Sequence, residues 1–171
     1  IYNYYLNQEL SIQEKIMPNK GLMFCGGVGR GKTIAMRVMQ QMGLRINGLE
    51  ERQMCIITVN DFLKVFKEDE SEAFSLFGFN KKMEMCIDEL GWEASQKHYY
   101  GNDTSAIIGS WIMERNKLFV ETGIRTHFTT NLLINDEDAD IDLLRLYGSR
   151  IIDREREMVN VINWVGGSLR K

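Results

Sequence analysis

Residues 26–33, Gly-Gly-Val-Gly-Arg-Gly-Lys-Thr, form the motif from which the architecture of this chain is predicted. It satisfies every required position of the pattern GxxxxGK[ST], in which a glycine-rich loop wraps around a phosphate chain. An apolar run over residues 22–25 precedes the loop, and a helical pattern over residues 34–46 follows it. This order of strand, loop and helix is the context that the pattern requires, so the sequence predicts a P-loop that binds ATP or ADP.

The chemistry of such a loop assigns roles to its residues. Backbone N–H groups of the loop and the N-terminus of the following helix attract phosphate oxygens. Lys32 is expected to reach the β- and γ-phosphates, and Thr33 to offer its hydroxyl to Mg²⁺. The predicted nucleotide-binding residues are Gly26, Gly27, Val28, Gly29, Arg30, Gly31, Lys32, Thr33 and Ile34.

A pair of acidic residues, Asp88 and Glu89, ends another apolar, strand-like segment. A P-loop site needs a carboxylate beside its metal, and we expect Asp88 to hold Mg²⁺ through water. Glu89 is expected to orient and deprotonate an attacking water molecule. The pair favours hydrolysis over phosphate transfer to another substrate, because a metal-binding acid alone does not position water. A solvated strand end is the competing interpretation of the same two residues.

Strand-like and helical segments alternate along the whole chain. Strands are expected over residues 22–25, 55–59, 83–88, 125–131 and 158–164. Helices are expected over residues 34–46, from 60 or 61 to 66, 105–121 and 140–157, with an irregular or short-helix insertion over 67–82. Such alternation predicts a single α/β domain with a parallel sheet covered by helices on both faces.

Three polar residues after the acidic pair are candidates for the same site. Asn131 ends the fourth predicted strand, where strand ends converge on the ligand crevice, and is placed to bond the γ-phosphate or the water. A helix-capping asparagine in a loop is an equally good interpretation. Arg150 and Arg154 lie four residues apart and share a helix face. They fit either surface ion pairs or an arginine finger that reaches a neighbouring subunit's γ-phosphate.

Two further places suggest contacts with partners. Arg115, late in the long helix, is a candidate for a subunit interface, with a surface salt bridge to a neighbouring glutamate as the alternative. Lys97, His98 and Tyr99 combine cations with an aromatic ring, a combination that stacks on and neutralises single-stranded DNA. A loop that packs its tyrosines onto the domain is the alternative for these three.

Composition limits the classes of protein that remain. With 44% hydrophobic and 26% charged residues the chain is typical of a globular domain. A net charge of −3 argues against a strongly basic nucleic-acid surface. No apolar run is long enough for a membrane span, so we do not expect a membrane among the partners of this chain. The three cysteines form no CxxC pair, which favours free thiols in a reducing cytoplasm.

Taken in chain order, the segments GGVGRGKT, CIDELG, THFTTNL, YGSRIIDR and GGSLRK resemble the DnaC/IstB-type AAA+ ATPases. These are the replicative helicase loaders and transposition helper ATPases of bacteria and phages. The resemblance covers residues 19–171. It implies a three-layer P-loop fold with a five-stranded parallel sheet in the order 5-1-4-3-2 and no helical lid domain.

The same resemblance implies roles for single residues and for partners. Asn131 is similar to the sensor I residue, Arg154 to the arginine finger, Arg150 to a second interface arginine, and Arg170 to the sensor II arginine that contacts nucleotide. The implied partners are a hexameric DnaB-type helicase, single-stranded DNA and further copies of the chain on ATP binding. Residues 1–20 are interpreted as an N-terminal arm and residues 21–171 as the ATPase domain. Loaders carry a longer N-terminal helicase-binding segment, so either that segment was removed or another partner is used.

Three alternatives stay open at this point. An IstB-like transposition helper shares the motifs of a helicase loader. A P-loop kinase for a small molecule shares the phosphate loop, although the paired acids and the Thr-Thr-Asn strand end disfavour it. A nucleotide-binding scaffold that switches without turnover is disfavoured by the presence of Lys32, Asp88 and Glu89 together.

Overall fold

A computed structural model of the chain describes residues 16–45, 54–96, 103–134, 141–164 and 168. Its five strands form one parallel sheet in the order β2-β3-β4-β1-β5, which is the expected order 5-1-4-3-2 read from the other edge. The strands are β1 Gly21–Cys25, β2 Met54–Thr58, β3 Glu84–Leu90, β4 Thr126–Thr130 and β5 Val159–Asn163. The helices are α1 Lys32–Arg45, α2 Val59–Glu68, α3 Glu70–Phe77, α4 Thr104–Thr122, α5 Leu143–Tyr147 and α6 Ser149–Met158, with a 3-10 turn at Trp92–Gln96. No helix among the described residues is both long and apolar enough to cross a membrane.

Helices cover both faces of the sheet, as the alternating sequence predicts. Alternate residues of β1 point to opposite faces, with Leu22 and Phe24 on one side and Met23 and Cys25 on the other. The first pair packs against α1, and the second pair belongs to the larger core formed with α2 to α6. Every residue of β1 and β4 is buried, as expected for the centre of a parallel sheet.

The predicted helix over residues 140–157 is wrong, because the structure contains two shorter helices there. Asp142 caps α5 by accepting a hydrogen bond from the Arg145 N–H at 2.7 Å. Gly148 then adopts φ 79°, a left-handed conformation that ends α5 before α6 begins. The helical periodicity continues through this break, so residue pattern alone does not reveal it.

The predicted position of Arg115 on the protein surface is also wrong. Its side chain is 0% exposed, so it lies neither at a subunit interface nor in a surface salt bridge. The guanidinium donates hydrogen bonds to the Thr126 hydroxyl and to the carbonyls of Lys81 and Met83, each at 2.9 Å. Burial lowers the pKa of Arg115 to about 10. The five N–H groups of arginine suit this role, because they bind α4 to β4 and to the chain entering β3.

Glu155 is a buried acid on the inner face of α6. It is 0% exposed and shares this face with Ile152 and Met158. Neither of its carboxylate oxygens has a hydrogen-bond partner among the described residues. Burial raises the pKa of Glu155 to about 8, and the nearby Arg156 charge only partly opposes this. The carboxyl is therefore mostly protonated in the folded protein at neutral pH.

Replacing Glu155 by glutamine is expected to change how stability depends on pH. Because the folded-state pKa lies above the ordinary value of 4.5, Glu155 contributes most stability below pH 4.5 and loses it as the pH rises towards 8. Glu155→Gln removes this loss, so its free energy of unfolding gains about 2 kcal/mol over the parent between pH 6 and pH 8. Urea unfolding at a series of pH values measures the difference. The exposed Glu121→Gln is the matched control, and parallel curves for Glu155→Gln and parent would contradict the assignment.

Candidate active site

Glycines shape the loop that joins β1 to α1. Gly29 and Gly31 have φ values of 78° and 85°, a left-handed conformation that glycine adopts without steric cost. A Cβ atom on Gly26 would lie 2.3 Å from the carbonyl oxygen of Trp164, so a side chain does not fit there. Glycine at these positions therefore lets the loop backbone lie directly at the cavity in front of α1.

Lys32 begins α1, and its ammonium group is held within the loop. The residue is 6% exposed, and its Nζ donates hydrogen bonds to the carbonyls of Gly26 and of Gly27, the latter at 2.9 Å. It also donates to Oδ1 of Asn131 at 2.8 Å, which brings the predicted end-of-strand asparagine to the loop. Burial is the main cause that lowers the pKa of Lys32. An anion at the loop would offset this burial of charge.

Asp88 and two hydroxyl groups form a compact set of oxygen atoms beside Lys32. Oδ1 of Asp88 accepts hydrogen bonds from the Thr33 hydroxyl at 3.0 Å and from the Thr129 hydroxyl. The backbone N–H of Glu89 donates to the same Thr129 hydroxyl at 3.1 Å. Carboxylate and hydroxyl oxygens are ligands that Mg²⁺ prefers, so Asp88 and Thr33 fit a magnesium ion. Sequence reasoning missed Thr129, whose position in the Thr-Thr-Asn strand end was the one available indication.

A bulge in β3 directs Glu89 towards the cavity. The pairs Ile87–Phe128 and Leu90–Thr130 leave one extra residue in β3, and Glu89 adopts φ 63° there. A left-handed conformation costs a residue other than glycine about 1 kcal/mol or more, and such strain is concentrated at functional sites. Bulges of this kind re-aim side chains. The exposed side chain of Glu89 accordingly lines the cavity, whereas its neighbour Asp88 is buried.

The cavity gathers residues from three separate parts of the chain. Its volume is about 210 Å³, and it lies between the P-loop and the ends of β3 and β4. Its lining residues are Val28, Gly29, Arg30, Gly31, Lys32, Thr33, Ile34, Glu89, Thr129 and Asn131. Together they offer backbone N–H groups, one ammonium group, hydroxyl oxygens and a carboxylate, the chemistry of a nucleotide–magnesium site.

Trp164, which directly follows β5, is hydrogen-bonded to the P-loop. Its indole N–H donates to the Arg30 carbonyl at 2.7 Å, and its own carbonyl accepts from the Arg30 guanidinium at 3.2 Å. The indole ring also lies 4.6 Å from the ring of Phe24, measured between centroids. Sequence reasoning missed this role, because no motif links a tryptophan after the last strand to the first loop.

Arg150 and Arg154 stand on α6, outside this cavity. Both are exposed, and Nη1 of Arg154 forms an ion pair with Oε2 of Glu157 at 3.0 Å. Among the described residues that line the cavity, Arg30 and Lys32 are the cations. Neither arginine lines the cavity of its own chain, and Arg154 forms a surface ion pair of the kind that is the alternative interpretation of its sequence position.

Several predicted residues fall outside the described part of the chain. These are the sensor II candidate Arg170, the DNA-contact candidates Lys97, His98 and Tyr99, and most of the predicted N-terminal arm.

Comparison with solved structures identifies the fold. The DnaC helicase loader matches with a TM-score of 0.60 and 19% identity over 86% of this chain and 79% of that one. A protein from Streptococcus pyogenes serotype M3, assigned as a primosome component, matches with a TM-score of 0.65 and 16% identity. The match covers 99% of this chain and 80% of that one. DnaI matches with a TM-score of 0.57 and 20% identity over 99% of this chain and 80% of that one. No protein-family profile and no curated protein sequence matches the chain.

These likenesses agree with the resemblance found in the sequence. The five-stranded parallel sheet with helices on both faces agrees with the α/β fold of the DnaC helicase loader and DnaI structures. At 16–20% identity the similarity establishes the fold but not the function. The activity has to be argued from the cavity itself.

Proposed function

We propose that this chain is a Mg²⁺-dependent ATPase that hydrolyses ATP in the cavity between the P-loop and the ends of β3 and β4. One observation carries the proposal: Lys32, Asp88, Glu89 and Asn131 converge on a single edge of the sheet. Lys32 and Asn131 are 99 positions apart in sequence, yet their side chains are hydrogen-bonded. Residues so distant in sequence meet there because the carboxyl ends of parallel strands share one edge.

Each of these side chains has a distinct task in the proposed reaction. When nucleotide binds, the Lys32 ammonium group gives up its hydrogen bonds to the Gly26 and Gly27 carbonyls and binds oxygens of the β- and γ-phosphates instead. The Asn131 amide binds the γ-phosphate or the water. Thr33 and Asp88 would hold Mg²⁺, and the bound ion would supply positive charge against the phosphate oxygens. Glu89 accepts a proton from the attacking water, and the bulge that turns it into the cavity supports this task.

An arginine from a second copy of the chain is proposed to complete the site. Negative charge on the γ-phosphoryl group has to be stabilised during transfer, and a further cation beside it accelerates the reaction. Arg154 is exposed on α6 and away from its own cavity, which supports action on a neighbour rather than on its own nucleotide. Arg150 stands on the same helix as a second interface arginine.

We further propose that the ATPase serves a DnaB-type replicative helicase on single-stranded DNA, in the cytoplasm. The solved structures of similar fold are described as a DnaC helicase loader, DnaI and a primosome component, which supports a loader. A transposition helper of the IstB type would use the same ATPase chemistry with another partner. The sequence resemblance includes both, and the solved structures favour the first.

Steady-state ATPase activity over a range of protein concentrations is the experiment that tests this proposal. Turnover per subunit is expected to rise with protein concentration, because each site needs a neighbour's arginine, and to rise again with single-stranded DNA. Release of inorganic phosphate from ATP, without any added acceptor, is the quantity to measure.

Lys32→Ala is the control for this assay, since it removes the cation that binds the phosphates. Turnover that is independent of both concentration and DNA would contradict the oligomeric loader and indicate a self-contained site. Phosphate release that appears only with a small-molecule acceptor would identify a kinase instead. Nucleotide binding without any phosphate release would identify a switch.

A further inference from the structure

A polar pair lies where the chain leaving β3 meets α5, with Glu93 buried and Tyr147 half-buried. The hydroxyl of Tyr147, the last residue of α5, donates a hydrogen bond to the carboxylate of Glu93. Glu93 is 0% exposed and follows Glu89 by four positions. The backbone of Gly91, between Glu89 and Glu93, lies close enough to both groups to lower the pKa of each. The pair thus joins the exit of β3 directly to α5.

Glu93 is costly to bury, because its Oε2 atom has no hydrogen-bond partner among the described residues. This cost points to a role other than stability. Burial raises the pKa of both Glu93 and Tyr147, since each loses the hydration of its charged form. Apolar side chains of similar size would fill the same space without that loss. Polar groups kept inside a core at a cost in stability are often those that fix a position or a switch.

Further hydrogen bonds tie the cavity edge to the same helix. The Thr130 hydroxyl donates to the Leu90 carbonyl at 2.7 Å, which binds the exit of β4 to the exit of β3. The backbone N–H of Leu143 donates to the Leu133 carbonyl at 3.0 Å, so the start of α5 is bonded to the chain leaving β4. The segments that present Glu89 and Asn131 are therefore both attached to α5.

Gly148 forms the joint between α5 and the helix that carries the arginines. It has φ 79°, and a Cβ atom placed there would meet no other atom within 4 Å. The Gly148 carbonyl accepts a hydrogen bond from the Ile152 N–H at 3.3 Å, which joins this residue to the first turn of α6. Tyr147 stands immediately before the joint and Arg150 shortly after it. A displacement of Tyr147 is thus passed through the backbone of Gly148 to the start of α6.

We propose that Tyr147 is a positioning residue whose hydrogen bond to Glu93 transmits the nucleotide state of the cavity to α6 and so sets the position of Arg150 and Arg154. The connection runs from Glu89 through residues 91–93 to Tyr147, across Gly148 and into α6. It is a continuous chain of packed and hydrogen-bonded groups, which is the physical requirement for coupling between two sites. This inference rests on the proposed function, because it needs a nucleotide at the cavity and a task for the arginines.

Hydrogen exchange followed by mass spectrometry on the full chain tests the coupling without relying on turnover. Exchange is compared with and without Mg²⁺ and a slowly hydrolysed ATP analogue. In the parent protein the analogue is expected to slow exchange at residues 26–33 and to change exchange in α6. In Tyr147→Phe and Glu93→Leu the first effect stays, and the change in α6 falls roughly twofold or more. Glu93→Gln keeps an acceptor oxygen and is expected to retain the parent response.

A kinetic comparison separates positioning from a general loss of packing. Tyr147→Phe is expected to lower kcat by roughly two- to thirtyfold with KM unchanged. In an Arg154→Ala background it is expected to have no further effect, because the hydroxyl acts through that helix. Thr104→Val is the matched control, as it deletes a buried hydroxyl that has no hydrogen-bond partner among the described residues.

The outcomes distinguish this inference from the function on which it rests. Slower exchange at residues 26–33 with an unchanged α6 in the parent would overturn the coupling and leave the ATPase standing. An equal exchange response of α6 in the parent and in Tyr147→Phe would also overturn the coupling alone. Equal losses of kcat in Thr104→Val and Tyr147→Phe would have the same meaning. No effect of the analogue at residues 26–33 would overturn the proposed function and the coupling together.

Discussion

Replacement of Glu89 by glutamine is expected to lower kcat for ATP hydrolysis by about 100- to 10,000-fold. Glutamine keeps the size and the hydrogen-bonding oxygen of the side chain but does not accept a proton from water. Lys32, Thr33 and Asp88 are unchanged, so the dissociation constant for ATP is expected to stay within about threefold of the parent value. Measurement of phosphate release beside equilibrium binding of a fluorescent ATP analogue separates the two effects.

Glu68→Gln, on the exposed end of α2, is the matched control for this substitution. It makes the same chemical change far from the cavity and should leave both quantities unaltered. Unchanged turnover in Glu89→Gln would remove the residue from the role of general base. The strained backbone at φ 63° would then need another explanation, and a switch without turnover would regain support.

The parts of the fold and site that were predictable are those encoded in contiguous residues. The phosphate loop depends on glycines and a lysine at fixed spacing, so residues 26–33 specify their own conformation. Strand β1 and the first part of β3 are mostly apolar, as expected where both faces of a parallel sheet are buried. The ends of parallel strands must meet at one edge, and for that reason Asp88, Glu89 and Asn131 were expected near the loop.

The parts that were missed depend on contacts between distant segments. Arg115 has the sequence context of a surface residue, and only the carbonyls that converge on it from the chain before β3 explain its burial. Thr129 and Trp164 act through partners 41 and 134 positions away. The break at Gly148 lies within an unbroken helical periodicity, and the glycine alone did not outweigh that pattern.

Removal of the Arg154 side chain is expected to lower kcat by about a thousandfold or more, the magnitude associated with an arginine finger. The loss should be in turnover rather than in ATP binding, because Arg154 does not line its own cavity. Arg156→Ala is the matched control, since Arg156 is an exposed arginine on the same helix. Arg150→Ala, measured in parallel, distinguishes which of the two candidate arginines supplies the charge.

Mixing two inactive variants decides whether Arg154 acts across an interface. Arg154→Ala subunits retain an intact cavity, and Lys32→Ala subunits retain an intact arginine. In a random equimolar mixture about a quarter of head-to-tail interfaces pair the intact cavity with the intact arginine. Activity should therefore recover towards about a quarter of the parent rate, well above the sum of the two variants measured alone. A mixture no more active than that sum would contradict action in trans, because each subunit would then depend on its own Arg154.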